Sequence, residues 1–543
     1  MRHFAFSFLV LAFAPSFAHA TPDVDAWRQD LHFLATEMPR RHPNLFYRMS
    51  EASWDSAVAA VDARLPAMDR NQTIVAFMEL VALPHDGHTL ISPGLDPHLG
   101  FHFYPIELYA YEDGVFIRRA DPAHAALVGA RVLRIGSASI DEALAAATRT
   151  VSTENEWWSR AWAPERLVIP ELLNGLGIAP DPDHLRLEIE RAGKRSVVTL
   201  GPAGAITPHG HDPLSGIDRT GWPTLGKEGV LPLWRRDPGK LFDVEYTASE
   251  SLLYVRYRAV LDSYGGETNA EFWHRVFALA DSLPVARFVL DIRENIGGNN
   301  FNNRQVVRAL IQRPALDRKD RLFVVIGKRT FSAAMNLVLD LEHWTNATFV
   351  GEPTGNATVV FGDHEPLNLP RSGMQVQVST LAWYPPDPKD HRDAVTPAIY
   401  TPVRSPDDLA ARDPAVAAIL AYGSRPDLVG QVRAAVERGD SVAAERVIKG
   451  AQADEKNRFR RLVNVANQVG YGFLNDGRLD WALAAFRLNA RLYPRSPNVW
   501  DSLGEGLARA AKKDDAIAAY RQALALDPGL GSAQEGLARL SGK

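Results

Sequence analysis

A candidate nucleophile, Ser332, lies between an apolar run and a helical pattern. The segment from Val324 to Asn336 reads as a buried strand, a short loop and the first turn of a helix, with Ser332 where the helix begins. A serine in that position can cap the helix by accepting a backbone N–H. It can also act as a nucleophile, because the N–H groups that follow it stabilise an oxyanion. Position alone favours the capping role.

Two adjacent glycines, Gly297 and Gly298, form a second feature of chemical interest. They follow another apolar strand pattern, residues 287–292, and precede another helix. Because glycine has no side chain, such a pair lets backbone amides approach a ligand closely. Taken alone, the pair indicates no more than a turn.

Three motifs occur in the order known from the tail-specific (C-terminal-processing) and tricorn-core serine peptidases. They are Asp291-Ile-Arg-x-Asn-x-Gly-Gly298, Thr330-Phe-Ser-Ala-Ala334 and Val350-Gly-Glu-Pro-Thr-Gly355. Phe361-Gly-Asp-His364, followed by Leu-Pro-x-Ser at 369–372, is also similar to that family. The sequence resembles the family over about residues 80–420. The resemblance implies a peptidase in which Ser332 is the nucleophile.

A serine hydroxyl needs a base, because it is unreactive at its own pKa. The best-known tail-specific proteases use a lysine at a characteristic spacing after the serine. This chain has no lysine between Ser332 and Lys389, so that dyad is excluded at that spacing. Lys328 precedes the serine, and we expect it to point from its loop into solvent.

A histidine is the alternative base, since an imidazole titrates near neutrality and can take and return a proton. His88 lies in an Asp-Gly-His-Thr segment that resembles tricorn-like members, between a helix pattern and a strand pattern. A purely structural histidine is the competing interpretation. His85 lacks the motif match and is expected to be exposed.

The resemblance also implies a carboxylate that orients the histidine and backbone donors that bind an oxyanion. Asp390 lies where tricorn-like members carry their acidic partner, and Asp363 and Glu352 remain alternatives. The expected oxyanion hole consists of backbone N–H groups of Ala333 and of Gly298 or Gly297. The implied reaction is amide hydrolysis through an acyl-enzyme, with no metal and no cofactor. No His-Glu-x-x-His zinc motif occurs in the sequence.

The elements that must position these residues change in character along the chain. Helix patterns cover residues 23–82, and short β-runs then occur at 105–109, 115–117, 130–135 and 185–189. From Leu252 to about Leu420, strand and helix patterns alternate: strands at 253–257, 287–292 and 321–326, helices at 270–282, 302–312 and 332–344. That alternation is typical of an α/β layer with parallel strands.

A sequence repeat with a spacing of 34 residues marks the C-terminal part. Ala485-Phe486 corresponds to Ala519-Tyr520, and Gly470 corresponds to Gly504. The pattern resembles two tetratricopeptide repeats, at 464–497 and 498–531, with a cap at 534–540 and a further helical pair at 427–460.

We therefore expect a multidomain α/β protein. Its predicted parts are a signal peptide at 1–20, an N-terminal helical segment at 21–98, a PDZ-like β domain at 99–205, a connector at 206–240, a crotonase-like α/β serine peptidase core at 241–422 and an all-α tetratricopeptide domain at 427–543. The PDZ-like part is implied by the resemblance, although its usual carboxylate-binding loop is not evident. The signal peptide rests on Arg2, the apolar run 4–17 and the small residues Ala18 and Ala20, and it predicts export, into a bacterial periplasm.

Composition narrows the range of partners. A net charge of −5 argues against non-specific nucleic-acid binding. No stretch after the N-terminal one is apolar enough for a membrane span, and the absence of cysteine excludes thiol catalysis. The leading hypothesis is an exported Ser/His endopeptidase acting on peptides or unfolded protein, with a partner protein on the repeats. A catalytically silent peptide- or ligand-binding protein and a hydrolase of a non-peptide ester or amide remain alternatives.

Overall fold

The computed structural model describes residues 23–207, 216–226, 230–423 and 426–542. The predicted signal peptide lies outside these residues. Across the described ranges, no helix has both the length and the apolar character that crossing a membrane requires.

The described chain opens with the helices that lead to His88. They are α1 Val24–Arg41, α2 Glu51–Arg64 and α3 Arg70–Ala82. The side chains of Asp23, Ser50 and Asp69 cap these three helices in turn, and each accepts a hydrogen bond from an N–H in the first turn. The helices predicted for residues 23–82 are confirmed, and the loop that carries His88 follows the end of α3.

An antiparallel sheet with three helices follows. The strands of this region are β1 His102–Phe103, β2 Ile106–Tyr111, β3 Gly114–Ala120, β4 Arg131–Ile135, β5 Ala138–Ser139, β6 Leu185–Arg191, β7 Lys194–Leu200 and β8 Gly204–Ala205; the helices are α4 Ile140–Thr148, α5 Glu156–Arg166 and α6 Pro170–Gly175. The main strands lie in the order β2-β3-β4-β6-β7, with β5 on β4, while β1 pairs with β8. One apolar cluster joins this sheet to α1–α3, so the two regions share a core.

A mostly parallel sheet forms the centre of the chain. The strands of this region are β9 Phe242–Thr247, β10 Leu252–Tyr257, β11 Ser263–Tyr264, β12 Glu267–Thr268, β13 Arg287–Asp291, β14 Leu322–Ile326, β15 Thr348–Gly351, β16 Val360–Gly362, β17 Glu365–Asn368, β18 Gln375–Val378, β19 Leu381–Trp383 and β20 Ile399–Tyr400; the helices are α7 Asn269–Ser282, α8 Asn303–Ile311, α9 Ala333–Trp344, α10 Ser405–Leu409 and α11 Pro414–Ala421. The sheet order is β20-β15-β14-β13-β10-β9, parallel except for β9. The predicted alternation of strand and helix is confirmed.

Burial on both faces explains why these strands read as continuous apolar runs. Leu253, Leu290 and Val324 belong to the cluster that contains α7–α9, whereas Tyr254 and Val289 belong to the cluster that contains α11. Because parallel strands end at one edge, the loops after β10, β13, β14 and β15 meet there. That edge carries Ser332.

Seven helices complete the described chain. They are α12 Leu428–Glu437, α13 Ser441–Ala453, α14 Val463–Asn475, α15 Leu479–Leu492, α16 Pro497–Arg509, α17 Lys513–Leu526 and α18 Gly531–Ser541. A Cβ on Gly470 would lie 2.4 Å from the Phe486 ring, and one on Gly504 would lie 2.8 Å from the Tyr520 ring. The two positions are thus equivalent, as the repeat predicts. The helices contact the central part through Arg404, which binds Glu455 with 2.9 Å hydrogen bonds.

Candidate active site

Ser332 precedes α9 in a backbone conformation that L-residues rarely adopt. Its φ is 54° and its ψ is −128°, and its side chain makes no capping hydrogen bond. Its backbone N–H instead donates to Oδ1 of Asn356. A conformation of this kind costs of order 1–3 kcal/mol and persists only where surrounding structure enforces it. The capping role that position alone favours is therefore wrong.

Hydrogen bonds between two loops hold the Ser332 backbone in place. Phe331 donates its N–H to the carbonyl of Asn295 at 3.0 Å, and Oγ1 of Thr330 donates to the carbonyl of Ile292 at 2.9 Å. The loop after β14 is thereby fixed to the loop after β13, which carries Gly297 and Gly298.

Both glycines have positive φ, +105° at Gly297 and +137° at Gly298, and Gly297 lies against Ser332. A Cβ on Gly297 would lie 2.4 Å from Cβ of Ser332 and 2.9 Å from its Oγ, so only glycine fits there. The N–H of Gly297 already donates to Oδ1 of Asn295 at 2.9 Å. Among the described residues, the N–H groups of Gly298 and Ala333 have no hydrogen-bond acceptor. These two donors fit the predicted oxyanion hole, whereas Gly297 supplies space.

His88 is 5% exposed and stacks on Phe331, with ring centroids 4.4 Å apart. It lines the same cavity as Ser332, which has a volume of about 380 Å³. Burial, opposed only in part by Asp86, lowers the pKa of His88 to about 4. Neither ring nitrogen has a hydrogen-bond partner in the described part of the chain, Ser332 included. His88 is therefore a neutral imidazole with both nitrogens available.

The structure does not bring Asp390 to His88, which corrects the predicted third residue. The Asp390 carboxylate accepts hydrogen bonds from the backbone N–H and the guanidinium of Arg392, at 2.7–3.2 Å. It lines a different cavity, beside Leu339 and His343. The Asp390 carboxylate is therefore paired with Arg392, two residues away, and not with His88.

The two alternative carboxylates also have other surroundings. Asp363 accepts the indole N–H of Trp383 at 2.7 Å, and it lines the Ser332 cavity. Glu352 interacts electrostatically with Lys328. Neither hydrogen-bonds to His88.

Glu154, a carboxyl group that was not among the predicted site residues, lies beside His88. Asp86, His88 and Glu154 each place one side-chain oxygen or nitrogen within 4.8 Å of such an atom of the other two. Oε1 of Glu154 accepts hydrogen bonds from the Gly87 N–H at 3.1 Å and from Nδ2 of Asn356 at 2.8 Å. Oε2 is buried and has no partner among the described residues. No local pattern marks this residue, because only the fold places it near the other site residues.

Glu154 and Asp86 differ in their protonation. Burial, and then the neighbouring Asp86 charge, raise the pKa of Glu154 to about 8. Burial would raise the pKa of Asp86 too, but hydrogen bonds from His42 at 2.9 Å and Ser379 at 2.6 Å, with the nearby histidines, lower it. Asp86 is thus the ionised carboxylate of the pair, and Glu154 retains its proton near neutrality.

The two remaining candidate bases are clearly placed. Lys328 is buried, which corrects the expectation that it is exposed: its Nζ donates to the carbonyl of Ala110 at 2.6 Å and lies 4.4 Å from the Tyr109 ring centroid. Burial lowers its pKa. His85 is exposed, as predicted.

Comparison with solved structures shows which fold the chain shares. A structure of mature CPAF complexed with lactacystin matches with a TM-score of 0.51 and 14% identity, over 73% of this chain and 97% of that one. Another structure of mature CPAF matches with a TM-score of 0.51 and 13% identity, over 77% and 98%. The photosystem II D1 C-terminal processing protease matches with a lower TM-score of 0.36 and 14% identity, over 74% and 98%.

No family model matches the sequence, and no curated protein matches it. The fold is nevertheless similar to that of CPAF over nearly the whole of that protein. The resemblance predicted from the motifs around Ser332 is thereby confirmed at the level of the fold.

Proposed function

We propose that the protein is a serine peptidase that hydrolyses peptide bonds through an acyl-enzyme. The observation that carries this proposal is the conformation of Ser332, which is strained and makes no capping hydrogen bond. It precedes Ala333, whose N–H has no acceptor among the described residues, and Gly298, with a second such N–H, lines the same cavity. A serine that only caps a helix has no need of this conformation. The buried imidazole of His88 in the same cavity supplies the base.

The proposed reaction follows from these positions. Oγ of Ser332 attacks the carbonyl carbon of the substrate, and His88 takes the hydroxyl proton. The N–H groups of Gly298 and Ala333 bind the oxyanion of the tetrahedral intermediate. His88 then gives the proton to the leaving amine, and water releases the acyl group by the same steps.

The cavity supports a peptide substrate with apolar side chains. Its lining includes Leu90, Ile296, Val360 and Trp383, and the ring of Phe301 at its edge is 84% exposed. Apolar and aromatic surface of this kind buries side chains from water. Unfolded protein or peptide, in which such side chains are accessible, therefore suits the site.

The other sequence predictions belong to this proposal. We assign residues 1–20 to a signal peptide, which implies periplasmic location, and residues 99–205 to a PDZ-like domain. We assign residues 241–422 to a crotonase-like core and 427–543 to tetratricopeptide repeats that bind a protein partner. Support for the repeats comes from the equivalent Gly470 and Gly504 contacts.

Fluorophosphonate labelling of residues 21–543 tests the proposal. We expect label on the wild type and none on Ser332→Ala or His88→Ala. His85→Ala is a matched control, because this neighbouring histidine is exposed and lies outside the cavity. Undiminished labelling of Ser332→Ala would overturn the nucleophile assignment.

Two alternatives are separated by the same material. A catalytically silent binding protein is favoured by the missing Ser332–His88 hydrogen bond, and it predicts a folded wild type that takes no label. A hydrolase of a non-peptide ester or amide predicts label without digestion of casein. Lactacystin, which is bound in one CPAF structure, is a further probe of the site.

A further inference from the structure

We propose that Glu154 is the positioning residue for His88, taking the part for which Asp390 was expected. This inference rests on the proposed function of Ser332 and His88. It assigns the third member of the site to the loop before α5, far in sequence from both the nucleophile and the base.

Unsatisfied polar atoms carry the inference. Oε2 of Glu154 and both ring nitrogens of His88 are buried without hydrogen-bond partners in the described part of the chain. Buried polar groups in folded proteins are nearly always paired, so an unpaired carboxyl oxygen next to an unpaired imidazole needs an explanation. One side-chain oxygen of Glu154 and one ring nitrogen of His88 lie within 4.8 Å of each other, so the two side chains are direct neighbours. Catalytic hydrogen bonds are often long in the free enzyme and shorten when substrate binds.

The position of Glu154 is also fixed with respect to the nucleophile. Asn356 accepts the N–H of Ser332 with Oδ1 and donates from Nδ2 to Oε1 of Glu154. The same oxygen accepts the N–H of Gly87, the residue before His88. One carboxyl group thus joins the loop of the base to the loop of the nucleophile. A positioning residue requires this rigidity.

The protonation state of Glu154 determines whether it can support the proposed reaction. An ionised Glu154 accepts a hydrogen bond from the N–H of the nearer His88 nitrogen and leaves the other nitrogen free to take the proton of Ser332. A protonated Glu154 donates to the nearer nitrogen, which places the ring proton on the other nitrogen, where the serine proton must arrive. The reaction therefore needs the ionised form, and its rate rises with pH.

The groups that surround Glu154 and His88 explain the direction in which each pKa is shifted. Asp86 opposes ionisation of Glu154 and Arg48 favours it, whereas burial opposes it most strongly. His364 and Asp363 face His88 from the other side of the cavity and act in opposite directions. Ionisation of Glu154 is therefore expected at about pH 8.

The test compares Glu154→Gln with the wild type by fluorophosphonate labelling across pH. The glutamine keeps an oxygen that accepts from Gly87 and Asn356, so the fold is retained, but it cannot ionise. We expect wild-type labelling to rise with pH and to level off above about pH 8. We expect Glu154→Gln to label about 10²- to 10⁴-fold more slowly and without that rise.

Two matched controls define the role. Glu156→Gln removes an exposed carboxylate two residues away, and Asp390→Asn removes the carboxylate expected from the resemblance; both should keep the wild-type profile. Glu154→Gln with the rate and pH profile of the wild type would overturn the inference. A wild type without label would instead count against the proposed function. In that case the ¹⁵N shifts of the His88 ring in Ser332→Ala decide, since they change with Glu154→Gln only when the two side chains interact.

A bound divalent cation is the competing explanation for Asp86, His88 and Glu154. Carboxylates and an imidazole are ordinary zinc ligands. Labelling that EDTA abolishes and Zn²⁺ restores would overturn the inference. Labelling that EDTA leaves unchanged, together with the loss in Glu154→Gln, supports it.

Discussion

Replacing Ser332 with glycine should raise the free energy of unfolding while it abolishes the proposed reaction. The φ of 54° and ψ of −128° place this serine where a Cβ clashes with its own backbone, and glycine has no Cβ. Alanine keeps the Cβ and therefore keeps the strain. Because the side chain makes no capping bond, alanine loses little that stabilises the fold.

The magnitude follows from two opposing contributions. A strained residue of this kind costs of order 1–3 kcal/mol in the folded state. A glycine loses about 0.4–1 kcal/mol through the greater freedom of the unfolded chain. The balance predicts that Ser332→Gly is about 1 kcal/mol more stable than Ser332→Ala, with Ser332→Ala close to the wild type.

Guanidinium unfolding of the wild type, Ser332→Ala and Ser332→Gly measures this difference. The free energy of unfolding is taken from the unfolding transition of the central α/β region, which contains Ser332. Ser139→Gly is the matched control, because Ser139 also precedes a helix but has a φ of −63° and caps α4 by accepting the Glu142 N–H. Glycine there should lower the free energy of unfolding by a few tenths of a kcal/mol. A Ser332→Gly protein that is less stable than Ser332→Ala would refute the assignment of backbone strain to Ser332.

Three further changes test other parts of the site. Gly297→Ala should lose fluorophosphonate labelling and about 1–3 kcal/mol in the free energy of unfolding, because the new Cβ would lie 2.4 Å from that of Ser332. Gly265→Ala is the control, since Gly265 also has a positive φ but a Cβ there would meet no atom within 4 Å, and it should keep its labelling. Labelling and denaturant unfolding of both variants measure the difference. The pKa of His88 is lowered from 6.5 to about 4, so the unfolded chain binds a proton first as pH falls; the stability of the wild type relative to His88→Gln should shrink from pH 6.5 to about pH 4 in unfolding titrations. Lys328→Met should keep its labelling and lose the hydrogen bond to Ala110, whereas a folded Lys328→Met without label would make Lys328 the base.

The central sheet could be predicted because its strands are buried on both faces. Residues 287–292 and 321–326 are uninterrupted apolar runs, and the helices after them begin at positions that turn residues mark. The structure places these two strands and the helices after them within one residue of the predicted bounds at either end. What these patterns could not show is that α1–α3 share one core with the antiparallel sheet, since the amphipathic face of a helix does not identify the surface that covers it.

The motifs predicted Ser332, His88 and the glycine pair, and all four residues lie around one edge of the sheet. They failed for charged side chains whose partners lie elsewhere in the fold. Asp390 is captured by Arg392, and Lys328 reaches the carbonyl of Ala110, a residue 218 positions away in sequence. A loop sequence shows that a charged residue is present but not which group will pair with it.

Glu154 shows why the site depends on more than the central sheet. The proposed nucleophile and oxyanion donors come from loops of that sheet, whereas His88 follows α3 and Glu154 precedes α5. Asn155, next to Glu154, donates from Nδ2 to the carbonyls of Thr354 and Asp393. These hydrogen bonds fix the loop that carries Glu154 against the loops of the central sheet. Residues 241–422 alone therefore contain the proposed nucleophile without the proposed base, and the proposed reaction requires the N-terminal helices and the antiparallel sheet to be packed against them.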